Sequence, residues 1–286
     1  MTLKCSSLQG FFNQEAVGQM NGMLHDLKLN TVCAEVTCPN LGECFSSGTA
    51  TFMILGKHCS RNCRFCDVSF GHMEEMDELE PEHLAQATKQ MGLKHVVIIS
   101  VARDDLPDGG ASQFVKSIEA VRKYNPDTTV EVLIPDFQGD HASLDMVIAA
   151  KPEIINHNIE TVERISPKIR HRATYERSLE VLAYIKEQDP EIFTKTGIML
   201  GLGETQEEVA QAMDDCLNAN VDFFTIGQYL QPSPKHFKLH EYVSMHQFGV
   251  YRRMGMEKGF KFVASSPQVR SSYKAHEALA AGGASK

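Results

Sequence analysis

Cys59, Cys63 and Cys66 stand in the run Lys57-His-Cys-Ser-Arg-Asn-Cys-Arg-Phe-Cys-Asp67, a C-x3-C-x2-C spacing. Three thiolates this close can ligate three irons of a [4Fe–4S] cube and leave the fourth iron open, since cysteine is the standard ligand of such clusters. The competing reading is a structural zinc site. Zinc usually takes four protein ligands in paired short spacings, whereas this run offers three cysteines, with His58 and Asp67 flanking them. The spacing, the aromatic Phe65 before the third Cys, and the position just after an apolar β-rich run all favour the cluster.

Cys33, Cys38 and Cys44 make a second triplet, C-x4-C-x5-C. Free cysteines are often plain buried apolar residues, but three among twelve polar residues fit a second cluster better. That cluster has no obvious fourth cysteine. Six of the eight Cys thus fall within 34 residues, leaving Cys5 in an N-terminal arm and Cys216 on a helix. Eight Cys in 286 residues is far below the density of a disulfide scaffold, and clustered Cys in a reducing compartment bind metal more often than they pair.

The elements that must position these residues follow a regular alternation. Thr51–Leu55, His95–Val101, Thr129–Ile134, Glu153–Asn158, Phe193–Leu200 and Asp222–Ile226 read as strands, with a last short one at Phe260–Val263. Helical spacing covers Glu82–Met91, Ala111–Tyr124, Leu144–Ala150, Tyr175–Gln188, Glu207–Asn218 and His240–Lys258. Strands alternating with helices of this length mean βαβ units and a parallel sheet. Six units are too few for an eight-fold barrel, so the expected fold is α/β, an incomplete (βα)6 TIM-like barrel. Residues 1–50 would form an N-terminal extension, 51–263 the barrel and 264–286 a C-terminal tail. Chemistry belongs at the carboxyl ends of the strands, which gathers the loops after Leu55, Val101, Ile134, His157, Leu200 and Ile226 around one mouth.

Composition narrows the function classes. The formal charge is −9 and the sequence pI about 5.7, the opposite of the basic balance that nucleic-acid binders show. The longest apolar stretches, such as Val96–Ile99, are far short of the ~20 residues a membrane span needs, and no leader pattern opens the chain. A cytoplasmic protein is expected. Arg164, Lys168, Arg170 and Arg172 form a basic cluster, as do Arg252, Arg253 and Lys258; each reads first as a solvated face, and either could dock an acidic partner.

Several further motifs join the cysteines: Gly48-Thr-Ala-Thr-Phe-Met-Ile54, Arg103-Asp-Asp-Leu-Pro-Asp-Gly-Gly110, Val130-Glu-Val-Leu-Ile-Pro-Asp136, Asn156-His-Asn-Ile-Glu160, Gly197-Ile-Met-Leu-Gly-Leu-Gly-Glu204, Gly227-Gln-Tyr-Leu230 and Arg270-Ser-Ser-Tyr273. With both Cys triplets, they make the sequence similar to the lipoyl synthase family of the radical S-adenosylmethionine (SAM) superfamily, from about Thr31 to Tyr273. Phe45 and Ala102 depart from that pattern, where Trp and an acidic residue are expected, and the chain has no Trp at all.

The resemblance implies two [4Fe–4S] clusters and SAM. Cys59, Cys63 and Cys66 would hold the cluster that cleaves SAM. Cys33, Cys38 and Cys44 with Ser272 (Ser271 being the adjacent alternative) would hold an auxiliary cluster that serves as sulfur source. It implies insertion of sulfur at C6 and C8 of an octanoyl chain on a carrier lysine, the carrier being a glycine-cleavage H protein or a dehydrogenase E2 domain. It also implies an electron donor such as flavodoxin or ferredoxin, and iron–sulfur assembly proteins. Asn156, Asn158 and Glu160 could bond the ribose or methionyl end of SAM. The Gly201, Gly203 and Glu204 turn could approach the adenosine closely. Arg103, Asp104 and Asp105 would line the cavity or hold its loop as ion pairs. Other sulfur-inserting radical SAM enzymes, similar to biotin synthase or a methylthiotransferase, and a zinc scaffold remain the alternatives at this point.

Overall fold

Seven parallel strands, each followed through the chain by a helical crossover to its neighbour, form one sheet in strictly sequential order, as βαβ units require. The computed structural model describes residues 49–273 and 275–283, with Gly22, Leu24, Asp26, Leu27, Leu29 and Asn30. Cys33, Cys38, Cys44 and Phe45 lie outside the described residues. The sheet runs β1 (Thr49–Ile54), β4 (His95–Ser100), β5 (Thr129–Leu133), β6 (Ile154–Asn156), β7 (Phe193–Leu200), β8 (Phe223–Gln228) and β9 (Phe262–Ser265). A separate two-stranded parallel ladder joins β2 (His58–Cys59) to β3 (Ser69–Phe70). Helices α1 (Glu80–Gln90), α2 (Ala111–Tyr124), α3 (His141–Ala149), α4 (Ser166–Ile169), α5 (Tyr175–Gln188), α6 (Gln206–Asn218), α7 (Met245–Lys258) and α8 (Ala275–Ala281) complete the described elements. No helix among the described residues is long and apolar enough to cross a membrane.

Strand alternation separates two faces. Val96, Ile98, Val130, Val132 and Ile155 point outward into one core with Phe114, Ile118, Val121, Leu144, Val147, Val181 and Ile185 of the helices. The register pairs His95 with Thr129, Glu131 with Ile154, and Asn156 with Lys195, so these residues share the opposite, inner face. There Lys195 Nζ bonds Glu131 Oε1 at 2.9 Å, Asn156 donates to the same carboxylate, and His95 lies 3.6 Å from it, all at 0–1 % exposure. Burial would push the Glu131 carboxyl up, but the Lys195 ammonium and His95 hold it below the usual range. The strands are therefore not apolar on both faces, as the run His95–Val101 suggests; a polar layer crosses the inside of the sheet.

Local chemistry accounts for the shifted boundaries. Helix α3 starts three residues before the expected Leu144, because the Asp140 carboxylate caps the Ser143 amide. The segment before α7 is extended rather than helical up to Met245. His240 N–H donates to Gly201 O, and the Gln228 side chain accepts from Val243 N and donates to Glu241 O. Helix α7 then opens on the Ser244 cap and closes with Phe260 N on Gly255 O beyond a left-handed Gly259. Phe260 is spent on that cap, so β9 is two residues later than Phe260–Val263. Leu24 and Leu29 of the N-terminal segment are buried in the β1 core, and Met53 N–H donates to Asn30 O, so this stretch is not wholly a free arm.

Breaking the inner pair leaves a buried carboxylate without its lysine cation, which costs about 3–5 kcal/mol. Urea unfolding of Lys195→Met should show that loss, and the double variant Lys195→Met/Glu131→Leu should recover most of it. A Lys195→Met protein as stable as the parent would mean the pair does not carry the interior.

Candidate metal centre

Cys59, Cys63 and Cys66 sit on the loop that leaves the carboxyl end of β1, as their position after the apolar run Thr51–Leu55 predicts. The chain turns out of β1 through two left-handed residues, Leu55 (φ 69°) and Gly56 (φ 90°). Leu55 is not a glycine, and such a conformation persists only when its surroundings impose it. They do: the Glu80 carboxylate accepts from Leu55 N at 3.1 Å, and Arg103 Nη1 donates to Leu55 O. A Cβ on Gly56 would lie 2.5 Å from Glu74 Oε2, the carboxylate whose other oxygen bonds His58 Nδ1. The β2–β3 ladder then clasps the loop ends together, pairing Cys59 with Phe70.

One guanidinium anchors the middle of the loop. Arg61, between the first two cysteines, bonds Asp104 through Nε at 2.8 Å and Nη2 at 2.7 Å, and reaches Asp136 at 2.6 Å. Asp136 is fully buried at the end of β5 and also meets Arg177; Asp104 follows β4 and also meets Arg172. Burial would raise both carboxyls, yet the Arg61 charge holds each below the usual carboxylate range. Backbone bonds complete the attachment: Ser60 N to Ala102 O, Arg64 N to Ile169 O, and Phe237 N to Arg64 O. Ala102 thus serves through its carbonyl. His236 Nε2 lies 3.1 Å from Cys66 O.

Cys63 and Cys66 lie in a poorly solvated environment. Burial pushes the Cys63 thiol up to about 11, against the lowering effect of Arg170, and Cys66 up to about 12, with Cys63 and Cys59 adding to the rise. Glu160 faces the same group, since its charge raises both thiols. Its own carboxyl is raised by burial despite the nearby Arg170 cation. Glu160 also holds a left-handed φ of 68°, fixed by its N–H to Gly197 O and its carbonyl to Met199 N.

The tail reaches this mouth. Asn158 Nδ2 donates to Ser271 Oγ at 2.7 Å, across 113 residues of sequence. Gly227 permits it: a Cβ there would lie 2.2 Å from Val269 O. Ser272 is the next residue, and both serines are partly buried.

Residues 53–216 match the family model of the Radical SAM superfamily. The chain is 53 % identical to a lipoyl synthase of Caldanaerobacter subterraneus subsp. tengcongensis over 93 % of each sequence. It is 53 % identical to that of Alkaliphilus metalliredigens over 91 % of this chain and 90 % of the relative. This chain belongs to the lipoyl synthase family. It is accordingly a radical SAM enzyme of the sulfur-inserting transferases. The fold agrees. Methylornithine synthase superposes with a TM-score of 0.58 at 12 % identity over 93 % of this chain and 84 % of its own. Streptococcus suis SuiB bound to S-adenosylmethionine gives 0.61 at 9 % identity over 88 % of this chain, which spans only 55 % of SuiB.

Within this lipoyl synthase framework the donor chemistry fits an iron–sulfur cube. Cys63 and Cys66 on this pinned loop, both discouraged from ionising by burial, need a cationic group to become thiolates. Among the described residues no three His, Cys, Asp or Glu side chains converge tightly enough for a single metal ion.

Other expected residues take different places. Asn156 is wholly enclosed one step below the mouth, its amide given to Glu131. Glu204 accepts from Gly201 N at 2.6 Å and Leu202 N at 2.9 Å, so it braces the turn. Gly201 and Gly203 have φ near 98° and 100°, and a Cβ on Gly201 would strike Gln228 and Glu241 of the covering segment. Arg103, Asp104 and Asp105 are loop-holding ion pairs. Arg170 is not on a solvated face but buried, bonding Asn158 O and Ser178 Oγ. Arg61, Asp136, Glu80 and His236 carried no sequence signal beyond their proximity to the motifs.

Two consequences are measurable. Arg61→Met takes the shared cation from two carboxylates, leaving each a single longer arginine contact, and should lower stability by about 3 kcal/mol, with iron lost on gel filtration; parent-like iron retention would contradict its anchoring role. His157 is held neutral, its pKa lowered to about 4 by burial, with Ile134 O and Ser178 at its two nitrogens. The unfolded state therefore binds the extra proton, and stability present above about pH 6.5 is lost as pH falls toward 4. His157→Gln should flatten that part of the urea-midpoint profile between pH 7 and 5, and an unchanged slope would refute it.

Proposed function

We propose that this chain inserts two sulfur atoms at C6 and C8 of an octanoyl group amide-linked to a carrier lysine, with Cys59, Cys63 and Cys66 holding the SAM-cleaving [4Fe–4S] cluster. Cys33, Cys38, Cys44 and Ser272 hold the second. The observation that carries the reading is the meeting at one mouth of the pinned cysteine loop, Glu160, Asn158 and the Ser271–Ser272 tail. When bound, SAM and the two clusters supply the hydrogen-abstracting chemistry and the sulfur that no side chain offers to an unactivated methylene.

The chain's own groups do the rest. Arg61 keeps the cysteine loop rigid against the barrel, so Cys59, Cys63 and Cys66 would hold a bound cluster in one place. Glu160, left-handed and close to Cys63, serves as acceptor for the amino group of SAM. Asn158 serves the ribose through Oδ1, which is buried and has no partner among the described residues. Gly201, Gly203 and Glu204 enter by shaping the turn under the 239–241 segment rather than by contact. The partly buried mouth shields the reacting methylene from water.

The carrier is a glycine-cleavage H protein or a dehydrogenase E2 domain, and a flavodoxin or ferredoxin supplies electrons. Iron–sulfur assembly proteins rebuild the auxiliary cluster. The enzyme works in the cytoplasm, on neither nucleic acid nor membrane. Residues 1–50, 51–263 and 264–286 act as auxiliary-cluster extension, barrel and tail.

The test is anaerobic incubation of the reconstituted protein with reductant, SAM and an octanoyl-lysine carrier peptide, read by mass spectrometry. The product should carry two added sulfurs. Ser272→Ala should still cleave SAM while losing most dithiolated product; unimpaired lipoyl formation in that variant would remove Ser272 from the ligand set.

A further inference from the structure

The hydrogen bond between Asn158 and Ser271 joins the two halves of the site, and its surroundings make it directional. Asn158 is fixed from behind: Arg170 Nη1 donates to its carbonyl at 2.6 Å. Its side chain sits over Gly197, where a Cβ would come 3.3 Å from Oδ1 and 2.2 Å from Thr225 Oγ1. The amide is thus held in a slot cut by a missing side chain. Nδ2 is given to Ser271, the Asn158 amide also serves the Glu160 carboxylate, and Oδ1 is buried and without a partner among the described residues.

The tail side is equally constrained up to that point. Gln228 N–H donates to Pro267 O, Val269 N–H to Ser266 O, and Arg270 Nη1 to both Pro267 O and Val269 O. Residues 266–270 are stapled onto the end of β8, and Ser271 is where the tail crosses to the β6 loop.

We propose that Ser271 is a positioning residue, a latch whose bond to Asn158 makes tail closure and SAM binding reinforce each other. This rests on the lipoyl synthase reading of the mouth, in which Oδ1 accepts from SAM. An amide whose Nδ2 is engaged presents Oδ1 in one orientation, so an incoming hydroxyl meets an ordered acceptor. By linkage, SAM must then favour the latched tail by the same factor. Ser271 is accordingly the latch and not an alternative to Ser272 as a cluster ligand. One neutral hydrogen bond sets the scale at roughly threefold to tenfold.

The experiment compares parent, Ser271→Ala and Ser271→Thr proteins, each checked by thermal unfolding. In cofactor-free protein, hydrogen exchange of residues 264–283 should be faster in Ser271→Ala than in parent, and restored in Ser271→Thr. In cluster-loaded protein, SAM should slow tail exchange in parent but not in Ser271→Ala. The SAM Kd of Ser271→Ala should be roughly threefold to tenfold weaker, with iron content unchanged. Equal tail exchange and equal SAM Kd in parent and Ser271→Ala overturn the latch, and loss of iron in Ser271→Ala overturns its separation from the ligand role. Failure of loaded parent to bind SAM sinks the family reading of the mouth instead, and the cofactor-free exchange comparison still decides whether Ser271 holds the tail.

Discussion

A single guanidinium caught between two buried carboxylates is the constraint on which the rest depends. Arg61 belongs to the cysteine loop, Asp104 to the end of β4 and Asp136 to the end of β5. None of the three can leave without stranding charge in a poorly solvated interior. The loop therefore cannot drift from the barrel, and Cys63 and Cys66, each discouraged from ionising by burial, remain in one another's field. A flexible loop would have to be ordered at every encounter with its cluster; this one is ordered in advance by ion pairs that also reach Arg172 and Arg177.

The same economy runs down the inner face. From the Glu131–Lys195–His95–Asn156 layer upward, residues two apart on each strand lead to Asn158 beside Gly197 and to Gly227 under the tail. Burial decides which polar groups belong to the fold and which are left for a ligand. Glu131 and Asp136 are answered by cations, whereas Asn158 Oδ1 is not answered by any described residue. Left-handed Leu55 and Glu160 mark two of the loops where the backbone is bent at the mouth.

Much of this was legible in the sequence, and the reason is locality. The Cys59–Cys66 spacing, and helices Ala111–Tyr124 and Tyr175–Gln188, depend only on neighbours along the chain. What failed to show were choices made across space. Helical spacing at His240–Ser244 cannot reveal that Gly201 and Gln228 capture its backbone. A run of basic residues does not say that Arg170 turns inward while Arg164 pairs with Glu208 outside. Two-residue ladders such as β2–β3 have no period to read. Nothing in Arg270-Ser-Ser-Tyr273 distinguishes a latch from a ligand until the tail is laid against β6.

The most direct test is a triple variant, Cys33→Ala/Cys38→Ala/Cys44→Ala, reconstituted without oxygen. It should retain about four irons and matching sulfide per chain, and on reduction its electron paramagnetic resonance signal should change when SAM is added. A colourless protein, or a signal indifferent to SAM, would contradict the assignment of the Cys59, Cys63 and Cys66 loop as the SAM-cleaving centre.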